Sequence, residues 1–186
     1  ADYLADDSRF IFGLTGEDVT VGVWDGGRVR VSHVEYGGRV TPNDAFSTLN
    51  FHATHVTGTI RATGVNPRAK GMAPKSTVFS HHWDNDTGEM SALAAADETG
   101  ILLSNHSYGP VTGWDTRNNT WRGDPNISDL EDWRFGFYGS DAAAVDNIAY
   151  NSPYYLIAWA AGNDRGDSGS SGSFPPDGPY DIISGE

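Results

Sequence analysis

Three polar residues in this chain of 186 amino acids are of types that act together in nucleophilic catalysis. Asp25 ends the apolar, β-branched run 19–24, His52 opens a stretch of small residues, and Asn163 follows a second apolar run. A carboxylate can hold one imidazole nitrogen and fix its tautomer, so that the other nitrogen takes a proton from a hydroxyl. An asparagine amide can donate to a developing oxyanion. These residue types therefore predict a site for nucleophilic catalysis.

The predicted elements place these residues at one edge of a sheet. Strands that alternate with helices indicate a parallel sheet, and its buried strands are nearly continuous apolar runs. Polar residues that follow such strands gather at the carboxyl edge, where α/β folds place their chemistry. We expect strands at 19–24, 76–80, 101–105, 154–160 and 180–184, helices at 52–62, 89–99 and 142–150, and turns or loops at 28–49, 84–88 and 164–179.

The segment around His52 has an unusual composition for a core helix. His52 and His55 are three residues apart, which makes them neighbours on a helix surface. Small residues surround both histidines, whereas a buried core helix is usually filled with Leu, Ile and Val. We expect this helix to leave room for another part of the protein beside His52.

The bulk composition excludes several classes of partner. The formal net charge is -13, from 25 acidic residues against 12 Lys and Arg, which disfavours nucleic acid because phosphate binding needs clustered basic residues. No apolar run approaches the length of about 18 residues that a membrane span requires. The chain has no cysteine, so disulfides and Cys-based zinc sites are excluded. The first residues have no basic and apolar segments in succession, so a signal peptide is absent or removed.

Six short motifs, taken in order, resemble those of subtilisin-like serine proteases (subtilases, the peptidase S8 family). Residues 23–27 resemble the family's Asp motif, 52–59 its His motif, and 160–164 the segment with its oxyanion Asn. Three further matches lie at 32–35, 71–74 and 107–110. The resemblance implies that residues 1–186 are the N-terminal portion of a single catalytic domain with an insertion at about 112–138. The implied fold is a three-layer α/β fold with a central, mainly parallel sheet, incomplete in this chain.

The resemblance also implies a role for each matching residue. Asp25 would be the orienting acid, His52 the general base, and Asn163 the oxyanion donor. His55 would be structural. Two further segments would bind the substrate, one by pairing with its backbone as an added strand and the other by forming a wall of the pocket before the scissile bond. Their residues are Ser107, Tyr108, Gly109, Ala160, Ala161 and Gly162.

The chain departs from the family pattern most strongly in lacking a Gly-Thr-Ser-Met-Ala motif, which would carry the nucleophilic serine. The resemblance implies a secreted serine endopeptidase, in its mature form without signal peptide or propeptide. It would act on protein or peptide substrates, with the serine supplied by a C-terminal segment or separate chain, and this chain alone would be inactive. Smaller departures are Ala53 and Thr57, which add bulk near the site, and Gly26, which replaces a hydroxyl residue.

Two other functions are compatible with the residues. One is a protease-like binding module without catalysis. The other is a zinc hydrolase using Asp25, His52, His55 and either His81 or His82. Helical zinc pairs are normally four residues apart with an intervening Glu, so the spacing of His52 and His55 disfavours the zinc hydrolase.

No cofactor is required for the chemistry of a serine protease, but the family resemblance allows a structural calcium ion. Asp84, Asp86 and Glu89 are the candidate oxygen ligands. Their spacing does not match an EF-hand, and a solvated turn is the simpler interpretation.

Overall fold

The structure is a computed structural model that describes residues 14–96, 101–128 and 132–163. These residues fall into two compact units. The first unit contains the described residues up to 107 together with 144–159, and the second contains those of 108–143 and 160–163. The strand predicted at 180–184 and the loop predicted at 164–179 lie outside the described residues.

The helices and strands follow one another in α/β order. The strands are β1 (Thr20–Asp25), β2 (Val40–Pro42), β3 (Thr77–His82), β4 (Leu103–His106), β5 (Trp114–Asp115), β6 (Thr120–Trp121) and β7 (Leu156–Trp159). The α-helices are α1 (Phe51–Arg61), α2 (Asp86–Ala94) and α3 (Ser140–Asn151), and short 3₁₀ turns occupy Pro67–Ala69 and Trp83–Asn85.

Five strands of the first unit form a sheet in the order β2-β3-β1-β4-β7. Every pairing within it is parallel, which confirms the predicted α/β class. Successive residues of a strand point to opposite faces. Val21 and Val23 of β1 face α1, which covers them with Ala53 and its neighbours, whereas Trp24 faces α2 and donates from Nε1 to Glu89. Helices therefore cover both faces of β1, as a nearly continuous apolar strand requires.

Two local predictions at the end of β3 are wrong. The strand runs on to His82 rather than ending at Ser80, and the expected turn at 84–88 is a 3₁₀ turn followed by the start of α2 at Asp86. The three-residue strand β2 was also missed inside the predicted loop 28–49. The last two residues of β3, His81 and His82, are polar and therefore did not indicate a buried strand. The strand β2 is too short to show a periodicity.

The second unit contains an antiparallel ribbon of β5 and β6 within the predicted insertion. Trp114 and Trp121 face each other across the ribbon with ring centroids 5.6 Å apart, in the edge-to-face geometry that aromatic pairs prefer. The buried Asp132 accepts a hydrogen bond from the Gly113 amide at 2.8 Å and pairs with Arg134. The described residues of the predicted insertion thus contain a β-ribbon, an aromatic pair and a buried ion pair.

A buried arginine ties the end of α1 to the loop before β3. The fully buried Arg61 donates from Nε to the Ser76 carbonyl at 3.1 Å and from an Nη to the Pro74 carbonyl at 3.1 Å. Its other Nη donates to the Tyr36 carbonyl. Burial lowers the pKa of Arg61 from its ordinary value. The guanidinium thus satisfies three carbonyl oxygens from two separate loops.

We predict that Arg61→Met lowers the free energy of unfolding by about 3 kcal/mol or more, because buried carbonyls are left without donors. Urea unfolding followed by fluorescence measures the change. Arg68→Met is the matched control, since Arg68 is exposed and its loss should change stability by no more than about 0.5 kcal/mol. Equal stabilities of the two variants would contradict this role for Arg61.

A buried glutamate organises the loop that follows α1. The Glu35 carboxylate accepts hydrogen bonds from the backbone amides of Gly64, Val65 and Asn66 at 2.8 to 2.9 Å, and from the Thr63 hydroxyl at 3.2 Å. These bonds, that from Asn66 foremost, hold the pKa of Glu35 below its ordinary value of 4.5. Glu35 therefore stabilises the fold only while it is ionised.

A lowered pKa means that this stabilisation is present above the unfolded-state pKa and is lost as the pH falls through the folded-state pKa. We predict that Glu35→Gln is less stable than the parent protein near neutral pH and loses less stability on acidification, because glutamine has no proton to take up. Urea midpoints measured between about pH 3 and about pH 7 test this. The control Glu17→Gln, at an exposed ion pair with Lys75, should keep the parent pH dependence. An identical pH dependence in the parent and Glu35→Gln would refute the role.

Candidate active site

Asp25 occupies the carboxyl end of β1, in the interior of the sheet. Only 2% of the residue is exposed, and its Oδ1 accepts a hydrogen bond from the Gly26 amide at 2.7 Å. Gly26 itself has no room for a side chain, because a Cβ there would lie 2.8 Å from the Trp83 ring. The Asp motif that residues 23–27 resemble usually has a hydroxyl residue at the position of Gly26. In this chain the ring of Trp83 packs against Gly26 where that side chain would lie.

His52 lies in the first turn of α1, facing Asp25. Its Nδ1 is 2.8 Å from Asp25 Oδ2 and 3.0 Å from Oδ1, which assigns the Nδ1 proton to the hydrogen bond with the carboxylate. The other ring nitrogen, Nε2, is left for proton transfer. The side chain is 45% exposed, while that of Asp25 is buried. The arrangement is that of an orienting acid and a general base.

Asn50 positions this pair, and the sequence analysis gave it no role. As the N-cap of α1, its Oδ1 accepts from the Ala53 amide at 3.0 Å, while its Nδ2 donates to the Gly26 carbonyl at 3.2 Å. Its own amide donates to the Arg28 carbonyl at 2.9 Å. Asparagine is a preferred N-cap residue, so its position just before the predicted helix could have indicated the cap. Its link to the turn after β1 could not be read from the sequence, because the partners are 24 residues apart.

The two bulkier residues of the His motif do not prevent the contact between Asp25 and His52. Ala53 and Thr57 are both fully buried, and Ala53 belongs to the apolar cluster between α1 and the sheet. Their added bulk therefore lies on the core side of α1. His55, predicted to be structural, lies on an exposed part of the same helix.

The predicted substrate-binding and oxyanion residues are divided between the two units. Ser107 follows β4 in the first unit, and its hydroxyl accepts from Asn105 Nδ2 at 2.9 Å. The others lie in the second unit and are described apart from the Asp25–His52 pair; they are Tyr108, Gly109, Ala160, Ala161, Gly162 and Asn163. Gly162 has φ of +100°, a conformation that favours glycine. The roles of these residues stay predictions.

Two other histidines of the sheet, His82 and His106, have structural surroundings. His106 is buried between the rings of Trp24 and Trp159, with centroid distances of 5.1 and 4.4 Å. Burial lowers the pKa of His106 to about 4, so it is neutral at physiological pH. His82 stacks on Phe46 with centroids 3.8 Å apart. Neither environment leaves a histidine poised for proton transfer.

The ligand set of the alternative zinc hydrolase is not brought together in the described residues. Asp25 holds His52 Nδ1, His55 is exposed, and His81 stacks on Trp24, on the face of the sheet opposite Asp25. His82 pairs instead with Asp84, with His82 Nδ1 and Asp84 Oδ2 3.2 Å apart.

The three calcium candidates have separate neighbours. Asp84 lies beside His82, Asp86 accepts from the Thr87 amide at 2.6 Å, and Glu89 Oε2 accepts from Trp24 Nε1 at 2.8 Å. A calcium ion bound by these three residues stays a prediction.

None of the helices in the described ranges has the length and apolar composition needed to cross a membrane.

Comparison with solved structures shows a related fold. The chain is similar to the crystal structure of a cold adapted subtilisin-like serine proteinase, with a TM-score of 0.51 and 22% identity. The similarity covers 82% of this chain and 49% of that one, so the chain spans about half the length of the solved protein. A search of curated proteins gave no match. The model of the Subtilase family (Peptidase S8) matches residues 16–181. Because this match covers most of the sequence and includes the Asp25–His52 pair, the chain belongs to the subtilase family.

Proposed function

We propose that this chain is the N-terminal part of a serine endopeptidase that hydrolyses peptide bonds in protein or peptide substrates. The contact of 2.8 Å between His52 Nδ1 and the buried Asp25 carboxylate, in a member of the subtilase family, carries the proposal. Asn50 and Gly26 hold the carboxylate at the end of β1 and the start of α1 together. Such support for the contact favours a functional pair over a chance contact between an acid and a histidine.

In the proposed mechanism His52 Nε2 takes the proton from a serine hydroxyl as its oxygen attacks the scissile carbonyl. Asp25 holds the ring through Nδ1 and stabilises the imidazolium that forms. His52 then gives the proton to the leaving amine, and water releases the acyl group by the same steps in reverse. Asn163 is the proposed donor to the oxyanion, a role whose loss costs about two to three decades in rate.

The nucleophilic serine belongs, in this proposal, to a C-terminal segment or chain outside these residues. The chain has no Gly-Thr-Ser-Met-Ala motif, and it spans about half of the solved serine proteinase that it resembles. Without the serine, the Asp25–His52 pair has no hydroxyl to activate, and the 186 residues alone would not cleave peptides. Secretion of the mature enzyme, as the resemblance implies, is part of the same proposal.

We predict that a fluorophosphonate probe labels one serine of the full-length protein and that His52→Ala abolishes this labelling. The same variant should lower kcat/KM for peptide hydrolysis by about four decades or more, because the general base is lost. His55→Ala, on an exposed part of the same helix, is the matched control and should keep activity within about threefold. Folded full-length protein that neither reacts with the probe nor cleaves peptides would refute the proposal and favour a protease-like binding module.

The Asn50 side chain both caps α1 and binds the Gly26 carbonyl. Two substitutions separate these roles. Serine can cap α1 but does not reach the Gly26 carbonyl, whereas alanine does neither. We predict that Asn50→Ser keeps the melting temperature close to the parent value but lowers kcat by about tenfold at an unchanged KM, since small displacements of a catalytic group slow the chemical step. Asn50→Ala should lower both stability and kcat. A parent-like kcat in Asn50→Ser would show that the cap alone matters.

A further inference from the structure

Three potential metal ligands converge beside β3, away from the Asp25–His52 pair. They are Asp44, His81 and Glu89, and their ligand atoms all lie within 4.8 Å of one another. Asp44 follows β2, His81 belongs to β3, and Glu89 lies in the first turn of α2. Glu89 and His81 belong to two different ligand sets predicted from the sequence, and Asp44 belongs to neither. Three separate elements thus contribute one ligand each.

All three side chains are held in place by other contacts. Glu89 Oε2 accepts from Trp24 Nε1 at 2.8 Å, and the ring of His81 stacks on that of Trp24 with centroids 4.4 Å apart. Asp44 accepts hydrogen bonds from the backbone amides of Phe46, at 3.0 Å, and His82. The ligands are therefore preorganised, and each carboxylate keeps lone pairs for a further partner.

The buried imidazole of His81 supplies the second observation that points to a ligand. The residue is only 3% exposed, and its Nδ1 makes no hydrogen bond, although Glu89 Oε2 is 3.1 Å away. A buried polar atom normally has a partner, and a ring nitrogen of His81 lies within 4.8 Å of a carboxylate oxygen of both Asp44 and Glu89. A cation placed between them would satisfy all three groups at once.

The nitrogen on the other side of the ring faces an asparagine amide. His81 Nε2 is 3.4 Å from Asn43 Nδ2. A metal on Nδ1 requires this amide to rotate by half a turn, after which Nε2–H donates to Asn43 Oδ1 and the lone pair of Nδ1 is free. Histidine ligands are usually fixed by such a hydrogen bond from the second nitrogen.

We propose that Asp44, His81 and Glu89 bind a divalent transition-metal ion, with Zn²⁺ the best fit. One imidazole nitrogen and two carboxylate oxygens are a ligand set that Zn²⁺ accepts, with water completing the tetrahedron. Metal–ligand bonds of about 2.0 to 2.2 Å put neighbouring ligand atoms about 3.4 Å apart. The His81–Glu89 separation of 3.1 Å is close to this value, and all three ligand atoms lie within 4.8 Å of one another.

Strand register indicates what the ion would do. Trp24 pairs with His81 and Asp25 with His82, so the proposed ligands and the Asp25–His52 pair lie on opposite faces of the sheet, one residue apart along β1. The ion would join β3, α2 and the segment after β2 on the face of the sheet opposite Asp25. It is a structural ion whose removal would loosen the end of β1 rather than remove a reacting group.

Titration of the EDTA-dialysed full-length protein with Zn²⁺, and with Co²⁺ as a spectroscopic substitute, tests the proposal. We expect one equivalent to bind, with a rise in melting temperature and, for Co²⁺, a visible absorption band. His81→Gln and Glu89→Gln should each weaken binding by about a hundredfold or more, exceeding the effect usual for an outer-shell residue. His55→Gln and Glu17→Gln, both exposed, are the matched controls and should bind like the parent protein.

No binding by the folded parent protein would overturn the proposal and leave His81 and Glu89 as an ion pair only. Parent-like affinity in both Glu89→Gln and His81→Gln would overturn it as well, because the ion would then lie elsewhere. Tight Ca²⁺ binding without Zn²⁺ binding would exclude the transition-metal class. All readouts concern binding and stability, so they stand apart from the proposed protease activity. If His81→Gln does not fold, Glu89→Gln, at a partly exposed residue, still decides the outcome.

Discussion

The hydrogen bond between Asp25 and His52 is the interaction on which the site depends, and it joins two elements that are separated by 25 residues, among them those of β2. The carboxylate is buried in the sheet, while the imidazole belongs to a helix that must begin at the right height above β1. Asn50 sets that height by capping the helix and binding the Gly26 carbonyl with the same side chain. The contacts of Asn50 thus fix the geometry of the Asp25–His52 pair, although Asn50 takes no part in the proposed proton transfer.

The other end of the same helix is fixed by buried charges rather than by apolar packing alone. Arg61 binds three backbone carbonyls, and Glu35 binds three backbone amides and a hydroxyl beyond the helix end. Several hydrogen bonds compensate each of these charged groups for the hydration that it loses on burial. A buried charge is tolerated only under this condition. Because these bonds go to irregular loops, they hold segments that have no sheet partners of their own. A helix with many small residues is therefore fixed at its C-terminal end by polar contacts as well as by apolar packing.

The sheet separates two kinds of polar cluster by the alternation of its strands. Asp25 faces α1 and His52, while its neighbour Trp24 faces α2 and stacks with His81 and His106. Burial holds the pKa of His106 at about 4, and the indole of Trp24 orients Glu89. A shift of one residue in the register of β1 would exchange the two clusters. The same strand end thus supports the Asp25–His52 pair on one face and the proposed metal ligands on the other.

The sequence by itself determined the α/β class, the family and the pairing of Asp25 with His52, because these depend on short motifs whose order along the chain is preserved. It also predicted β1 and α1 to within a residue or two. It did not reveal β2, the course of β3 to His82, the double role of Asn50, or the meeting of Asp44 with His81 and Glu89. Those features were decided only by the tertiary structure, since each arises where segments distant in sequence meet and satisfy one another's polar groups.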